Sequence, residues 1–288
     1  MLLRRLLFAS LFYFPRSAFG QFAVENATRP GACSVQRSLL LCLSRRCLVC
    51  AHASQNAPDN SFDLKGMVPN VGDSGSDRAK RPRVRQHVNP LSEHLRTLVE
   101  LPPEWPVGVY NDRRAPLHID IGCATGTFLL ELSQEDPSYN YVGLEIRRPL
   151  VEFANIRAER AHVADRVFFV CCNANAAMEK IISTYTLGMV RRISLNFPDP
   201  YFKRRQHKRR VVQPELVHCL SEGLAPGAEV VCQTDVAEVH EYIREVFVSS
   251  GKFTAENLSD SPYPVRSERE MRCILNGRQI FRIRFVRC

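Results

Sequence analysis

From residue 115 to the C-terminus, short apolar runs alternate with amphipathic stretches, and this alternation restricts the fold more than any other feature. Residues 117–122, "LHIDIG", read as a strand; 127–134, "TFLLELSQ", as a helix with Phe128, Leu129 and Leu132 on one face; and 141–146, "YVGLEI", as a second strand. The order continues with helix 149–161, strand 167–172, helix 175–184, strand 191–197, helix 213–222, strand 228–234, helix 237–248 and a final strand 279–286, "QIFRIRFV". Strands alternating with helices form right-handed βαβ units, and these build a parallel sheet covered on both faces. The predicted class is α/β, with a mostly parallel, doubly wound sheet. Such sheets bind ligands beyond the carboxyl ends of their strands, where the topology switches.

The chain ahead of this region has a different composition. No acid occurs before Glu25, while Arg4, Arg5 and Arg16 punctuate "LLFASLFYF" and a Ser/Cys/Arg-rich stretch follows. This is the composition of an organelle-targeting presequence. The apolar run at 6–14 is too short to span a bilayer, so no stable membrane association is expected. It has the length of a signal-peptide core, and a two-part leader favours a plastid over a mitochondrion. Without a targeting role, the expected location is cytoplasmic or nuclear. Residues 55–80 are rich in Asn, Asp, Gly, Ser and Pro and read as a flexible linker. The expected organisation is a disordered targeting extension over 1–80, an arm over 81–114 and a catalytic domain over 115–288. The net charge of +9 favours a polyanionic partner. Eleven cysteines form no spaced framework and read as reduced packing thiols; Cys47 and Cys50 make a lone CxxC with no second pair, so no metal site is expected.

The first strand ends in Asp120-Ile-Gly122-Cys-Ala124-Thr-Gly126. Glycines between a strand and a helix allow a sharp turn and close approach of a ligand to the backbone. Glu145 ends the second strand, where an acid in such folds accepts hydrogen bonds from ribose hydroxyls. A pyrophosphate gains nothing from a neighbouring carboxylate, whereas S-adenosylmethionine carries an amine and a sulfonium that Asp120 suits. The pocket therefore points to S-adenosylmethionine rather than a dinucleotide. Asn173, ending the third strand, either meets an adenine edge or turns the chain. The fourth strand ends in "NFPDPYFKRRQHKRR", residues 196–210, where Pro198 and Pro200 lock the chain around Asp199. Lys203, Arg204, Arg205, His207, Lys208, Arg209 and Arg210 follow. At the mouth of a cofactor pocket, such a run suits a nucleic-acid backbone better than a solvated face or a localisation signal.

"DIGCATG", "YVGLEIRRPLVEFA", "NFPDPYFKRRQHKRRVVQPELV", "QTDVAEV" and "RSERE", in this order, resemble the bacterial and organellar tRNA (guanine-N7)-methyltransferase family. "RVRQHVNPL", residues 83–91, is similar to the arm that precedes the fold in organellar and eukaryotic members. The resemblance runs from residue 83 to the C-terminus and implies a Rossmann-like class I methyltransferase. It implies that Asp120, Gly122, Gly126, Glu145, Asn173 and Asp199 form the S-adenosylmethionine site, with Asp199 the catalytic residue. It implies contacts from Lys203, Asp235, Ser267, Glu268, Arg269 and Glu270 to the substrate guanosine. Phosphate contacts are expected from Arg204, Arg205, His207, Lys208, Arg209 and Arg210, with Arg83 and Arg85 of the arm. Three departures from the family pattern stand out: Ala124 replaces its middle glycine, Asn173 stands where many members have Asp, and "SERE" replaces "TKFE".

The activity implied is methyl transfer to N7 of a tRNA guanosine, at guanine 46 of the variable loop, with tRNA as the partner and no obligate protein subunit. Asp235 and Glu270 are placed to accept from guanine N1 and N2. Two other classes stay open: a small-molecule methyltransferase without an RNA substrate, and a non-catalytic or partner-dependent RNA-binding subunit.

Overall fold

The computed structural model describes residues 81–85 and 88–288. The leader and linker expected over 1–80, with Cys47 and Cys50, lie outside the described residues. Chain order runs α1 (Glu93–Arg96), β1 (Leu117–Ile121), α2 (Thr127–Glu135), β2 (Asn140–Glu145), α3 (Arg148–Arg160), β3 (Val167–Cys171), α4 (Ala174–Thr184) and β4 (Val190–Asn196), then a 3-10 turn over Arg204–Arg209. It ends with α5 (Pro214–Gly223), β5 (Glu229–Thr234), α6 (Ala237–Ser249), β6 (Phe253–Asn257), α7 (Glu268–Leu275) and β7 (Phe281–Arg287). Among the described residues no helix is long and apolar enough to cross a membrane.

The strands form one sheet in the order β3-β2-β1-β4-β5-β7-β6. β1 to β5 are mutually parallel, and β7 runs antiparallel to both β5 and β6. Alternate strand residues feed two apolar layers. Ile119, Val142, Val170 and Ile193 pack with Met178 and Ile181 of α4, Leu216 and Leu220 of α5, and Ile243 and Phe247 of α6. Tyr141, Val167 and Phe169 pack on the other face with Phe128, Leu129 and Leu132 of α2 and Val151, Ala154 and Ala158 of α3. β1 and β2 are buried along their whole length, as central strands covered on both faces must be. After β1 the chain builds β2 and β3 on one side; β4 then pairs with the other edge of β1. The switch point therefore lies between the carboxyl ends of β1 and β4.

The arm is more closely integrated than the sequence suggests. Val99 bridges Cys172 beyond the end of β3, and Asn173 donates its backbone N–H to Leu98 at 2.8 Å. Tyr110 is buried and meets Trp105 and Tyr185 edge-on, with ring centroids 5.6 and 5.8 Å apart. β6 and α7 are absent from the sequence reading for a physical reason. β6 is an edge strand in which only Phe253 is buried, so it shows no apolar alternation; α7 spans only eight residues and leaves Met271, Ile274 and Leu275 exposed while it buries Glu270 and Cys273, so its apolar side does not mark the face that packs.

Phe169 of β3 lies beside Gly143 of β2, and its ring fills the notch this glycine leaves: a Cβ at 143 would stand 2.4 Å from the ring. Gly143→Ala should cost about 1–3 kcal/mol through overpacking. The expected result is a lower urea midpoint with unchanged slope, partly restored by adding Phe169→Leu.

Candidate active site

The turn from β1 into α2 has left-handed backbone at every second residue: Gly122 at φ 80°, Ala124 at φ 51° and Gly126 at φ 75°. A Cβ at Gly122 would meet nothing within 4 Å, so there glycine serves the turn and leaves an open face. At Gly126 a Cβ would come within 2.4 Å of the Phe169 ring, so this glycine also lets the start of α2 settle onto the sheet. Ala124 carries the strain its neighbours avoid, worth about 1–2 kcal/mol for a residue with a side chain. The departure from the family pattern at 124 is thus conformational, beyond the space its methyl takes.

Asp120 stands opposite Ser194 of β4, at the switch point. The Ser194 hydroxyl at 2.6 Å and the Asn196 amide at 3.1 Å both donate to Oδ1, which leaves Oδ2 without a donor among the described residues. Burial pushes the Asp120 carboxyl up to about 7 against the pull of these two hydrogen bonds, and the Glu145 charge adds to the rise. The polar chain continues inward. Gln233 of β5 donates to Asn196 Oδ1 at 2.7 Å and to Glu270 Oε2 at 3.1 Å. Arg282 of β7 donates to Gln233 Oε1 at 3.2 Å and to Glu270 Oε1 at 2.9 Å, and Arg266 reaches the same Oε1 at 2.7 Å.

Glu145 ends β2 as expected, but its acceptors are spent within the protein. Oε1 takes the Arg147 backbone N–H at 3.0 Å and its Nε at 2.9 Å; Oε2 takes Arg147 Nη2 at 2.9 Å and the Ala124 N–H at 3.2 Å. A carboxylate has about four such positions, so a ribose hydroxyl binds here only as one of these donors yields. Of the two readings open for Asn173, its hydrogen bonds fit the turn residue. Its Oδ1 caps α4 by accepting from the Asn175 N–H at 3.1 Å, and its amide donates to Pro90 and Leu95 carbonyls at 3.2 and 3.3 Å. Both amide protons are used to hold the arm, so Asn173 turns the chain and anchors it.

Asp199 follows β4 in a loop fixed at several points. Phe197 and Tyr201, on either side, have φ of 52° and 44°; the Phe197 N–H donates to Gln233 O at 2.8 Å, and the Tyr201 hydroxyl to Val88 O at 2.9 Å. The basic run divides in two. Lys203, Arg204, Arg205 and Lys208 are exposed, and His207 and Arg209 half-buried. Arg210 corrects the sequence expectation of a phosphate contact. Its side chain is 4% exposed, donates to Pro200 O at 2.9 Å and to Glu238 at 2.6 Å, and lies over the Tyr242 ring at 4.9 Å. It clamps the Asp199 loop, and His207 Nε2 sits 3.1 Å from the same guanidinium. Arg83 and Arg85 are exposed.

Comparison with known proteins bears on this arrangement. A family model described as "Putative methyltransferase" matches residues 114–283. The tRNA (guanine-N(7)-)-methyltransferase of Thermosynechococcus vestitus is 46% identical over 217 residues, covering 74% of this chain and 99% of its own. That of Synechococcus elongatus is 43% identical over 210 residues, 72% of this chain and 97% of its own. This chain belongs to the tRNA (guanine-N7)-methyltransferase family. Among solved structures, the precorrin-6y C5,15-methyltransferase of Geobacter metallireducens covers 63% of this chain and 85% of its own at 12% identity and TM-score 0.42.

In this methyltransferase the residues expected at the guanosine divide as the basic run does. Lys203 is exposed beside the Asp199 loop. Ser267 caps α7 by accepting from the Glu270 N–H at 3.2 Å. Glu268 accepts from the Thr127 hydroxyl at 3.1 Å and pairs with Arg81 of the arm at 3.2 Å, while Arg269 pairs with Asp235 at 2.6 Å. Glu270 departs furthest from expectation: it is fully buried, and its carboxylate holds Arg266, Arg282 and Gln233 rather than facing a ligand. Sequence reasoning missed Asn196, Gln233 and Arg282. Their only signal is a polar residue at a strand position that faces inward, visible once strand pairing is known.

Glu270→Ala would remove the 2.9 Å partner of the buried Arg282 and leave Arg266 with the exposed Asp260 alone. Removing one partner of such a buried cluster costs about 3–5 kcal/mol, whereas Glu268→Ala breaks a partly exposed pair worth about 0–1 kcal/mol. Denaturant unfolding of the two variants should show this contrast.

Proposed function

We infer that this chain transfers a methyl group from S-adenosylmethionine to N7 of a guanosine in tRNA, and that the acceptor is guanine 46 of the variable loop. One observation carries the reading: a buried carboxylate, Asp120, with Oδ2 undonated, beside the open face of Gly122 and next to the loop that presents Asp199. Asp120 suits a cationic amine, and Gly122 leaves room for a ligand against the backbone. Bound there, S-adenosylmethionine supplies an electrophilic methyl on its sulfonium. Guanine N7 offers an unprotonated lone pair at neutral pH, so the chain removes no proton first and acts by positioning. Positive charge develops on the purine, and Asp199, fixed between two prolines, stabilises it and orients the base. The exposed Lys203, Arg204, Arg205 and Lys208 at the same rim suit the phosphates of an RNA. A plastid destination belongs to this reading and rests on the acid-free, arginine-punctuated stretch before Glu25.

Asp199→Asn should retain the fold and lower turnover on unmodified tRNA by roughly a hundredfold or more, since one preorganised electrostatic contact is worth about 3 kcal/mol. The assay is N7-methylguanosine formation mapped to its position in the tRNA. Equal activity on free guanosine would replace the tRNA reading, and methylation away from position 46 would replace the site assignment.

The Asp120 carboxyl, raised to about 7, adds a pH signature. Its charged form, which the cofactor amine requires, is present above that value and lost as pH falls through it. S-adenosylmethionine affinity should therefore rise about tenfold between pH 6 and pH 8 and then level off. Calorimetry across this range should show the rise in the wild type and a weaker, flatter profile in Asp120→Asn.

A further inference from the structure

Phe202 is the most exposed large hydrophobic side chain among the described residues, at 68%, and the only aromatic one in that exposed set. A single surface hydrophobe needs no explanation by itself. The setting of this one differs in three respects. It lies between Asp199 and the exposed Lys203, Arg204 and Arg205, where a polar side chain would be the ordinary choice. Only Pro200 and Tyr201 separate it from Asp199, so the two Cα atoms are within about 11 Å of each other.

The loop that carries it is also held on both sides. Tyr201, immediately before it, has left-handed backbone at φ 44° and is tied through its hydroxyl to Val88 O at 2.9 Å. Beyond it, Arg210 grips Pro200 O at 2.9 Å and Glu238 at 2.6 Å, and the Gln213 amide holds the His207 and Arg210 carbonyls at 3.0 and 2.9 Å. A loop anchored this firmly has the means to turn an aromatic ring inward, yet this ring points to solvent.

We propose that Phe202 is a stacking platform for an unpaired nucleobase of the tRNA, a few nucleotides at most from the target guanosine. An aromatic face beside a line of cations is the arrangement by which proteins hold unpaired nucleic acid: the cations track the backbone while the ring takes a base, with little dependence on its identity. Phe202 is then a positioning residue. It fixes the strand so that the target base reaches Asp199, while the phosphate contacts supply the salt-dependent part of the affinity. The proposal rests on the tRNA reading above.

The two contributions separate in a salt series. Methyl transfer to an unmodified tRNA transcript is measured for wild type, Phe202→Ala, Phe202→Leu and Phe202→Trp, and for a variant with Arg204, Arg205 and Lys208 replaced by Ala. Phe202→Ala should raise KM for tRNA about tenfold, with kcat at saturating tRNA and S-adenosylmethionine affinity near the wild-type values. The slope of log KM against log salt should stay unchanged, because stacking releases no counterions, whereas the basic-run variant should flatten it. Phe202→Trp should restore KM and Phe202→Leu should not. Wild-type KM in Phe202→Ala, full rescue by Phe202→Leu, or a loss of S-adenosylmethionine affinity would each overturn the proposal. Absence of methylation by the wild-type protein would instead remove the tRNA reading on which it rests.

Discussion

The carboxyl ends of β1, β4 and β5 are tied together by one buried hydrogen-bonded chain: Asp120 to Asn196, Asn196 to Gln233, and Gln233 to Glu270 with its two arginines. Groups this deep are costly unless every member is satisfied, because the low-dielectric interior that strengthens each bond also penalises each one left unmade. The chain therefore locks three parallel strands, the antiparallel β7 and helix α7 in a single relative position. Asp120 stands at its outer end and Glu270 at its inner end. The site's first carboxylate thus owes its placement to Ser194 and Asn196, and through Asn196 to Gln233 and Glu270.

The glycine turn depends on packing in a similar way. The Phe169 ring approaches both Gly143 on the neighbouring strand and Gly126 at the start of α2. One aromatic ring thus determines how closely the helix sits on the sheet, and with it where the open face of Gly122 is held. The apolar layer and the pocket are two sides of one turn.

Charge is divided by depth along the segment after β4. Arg210 faces inward, where a carbonyl, a carboxylate and a tyrosine ring make it part of the loop's frame. The exposed cations of the same run face outward at the rim. An acid and a dense set of basic residues thus occupy adjacent positions, with Asp199 half-buried and Lys203, Arg204, Arg205 and Lys208 exposed. Arg147 adds a further restraint: it holds Glu145 by two parallel bonds and so sets the orientation of that carboxylate before any ligand arrives.

Sequence alone determined the α/β class, the order of β1 to β5 with their helices, and the strand-end positions of Asp120, Glu145, Asn173 and Asp199. These follow from local periodicity and from turn chemistry, which a reader of the chain sees directly. Tertiary structure decided what each group does there. Glu270 reads as a candidate ligand contact and is a buried counter-ion; Asn173 reads as either an adenine contact or a turn residue, and its amide anchors the arm; Arg210 reads as one cation among several and clamps the loop. β6 shows no apolar alternation because an edge pairing holds it, and α7 is held through the buried Glu270 rather than through its exposed apolar residues. In each case the deciding partner is distant in sequence, so the role exists only once the fold has brought the two together.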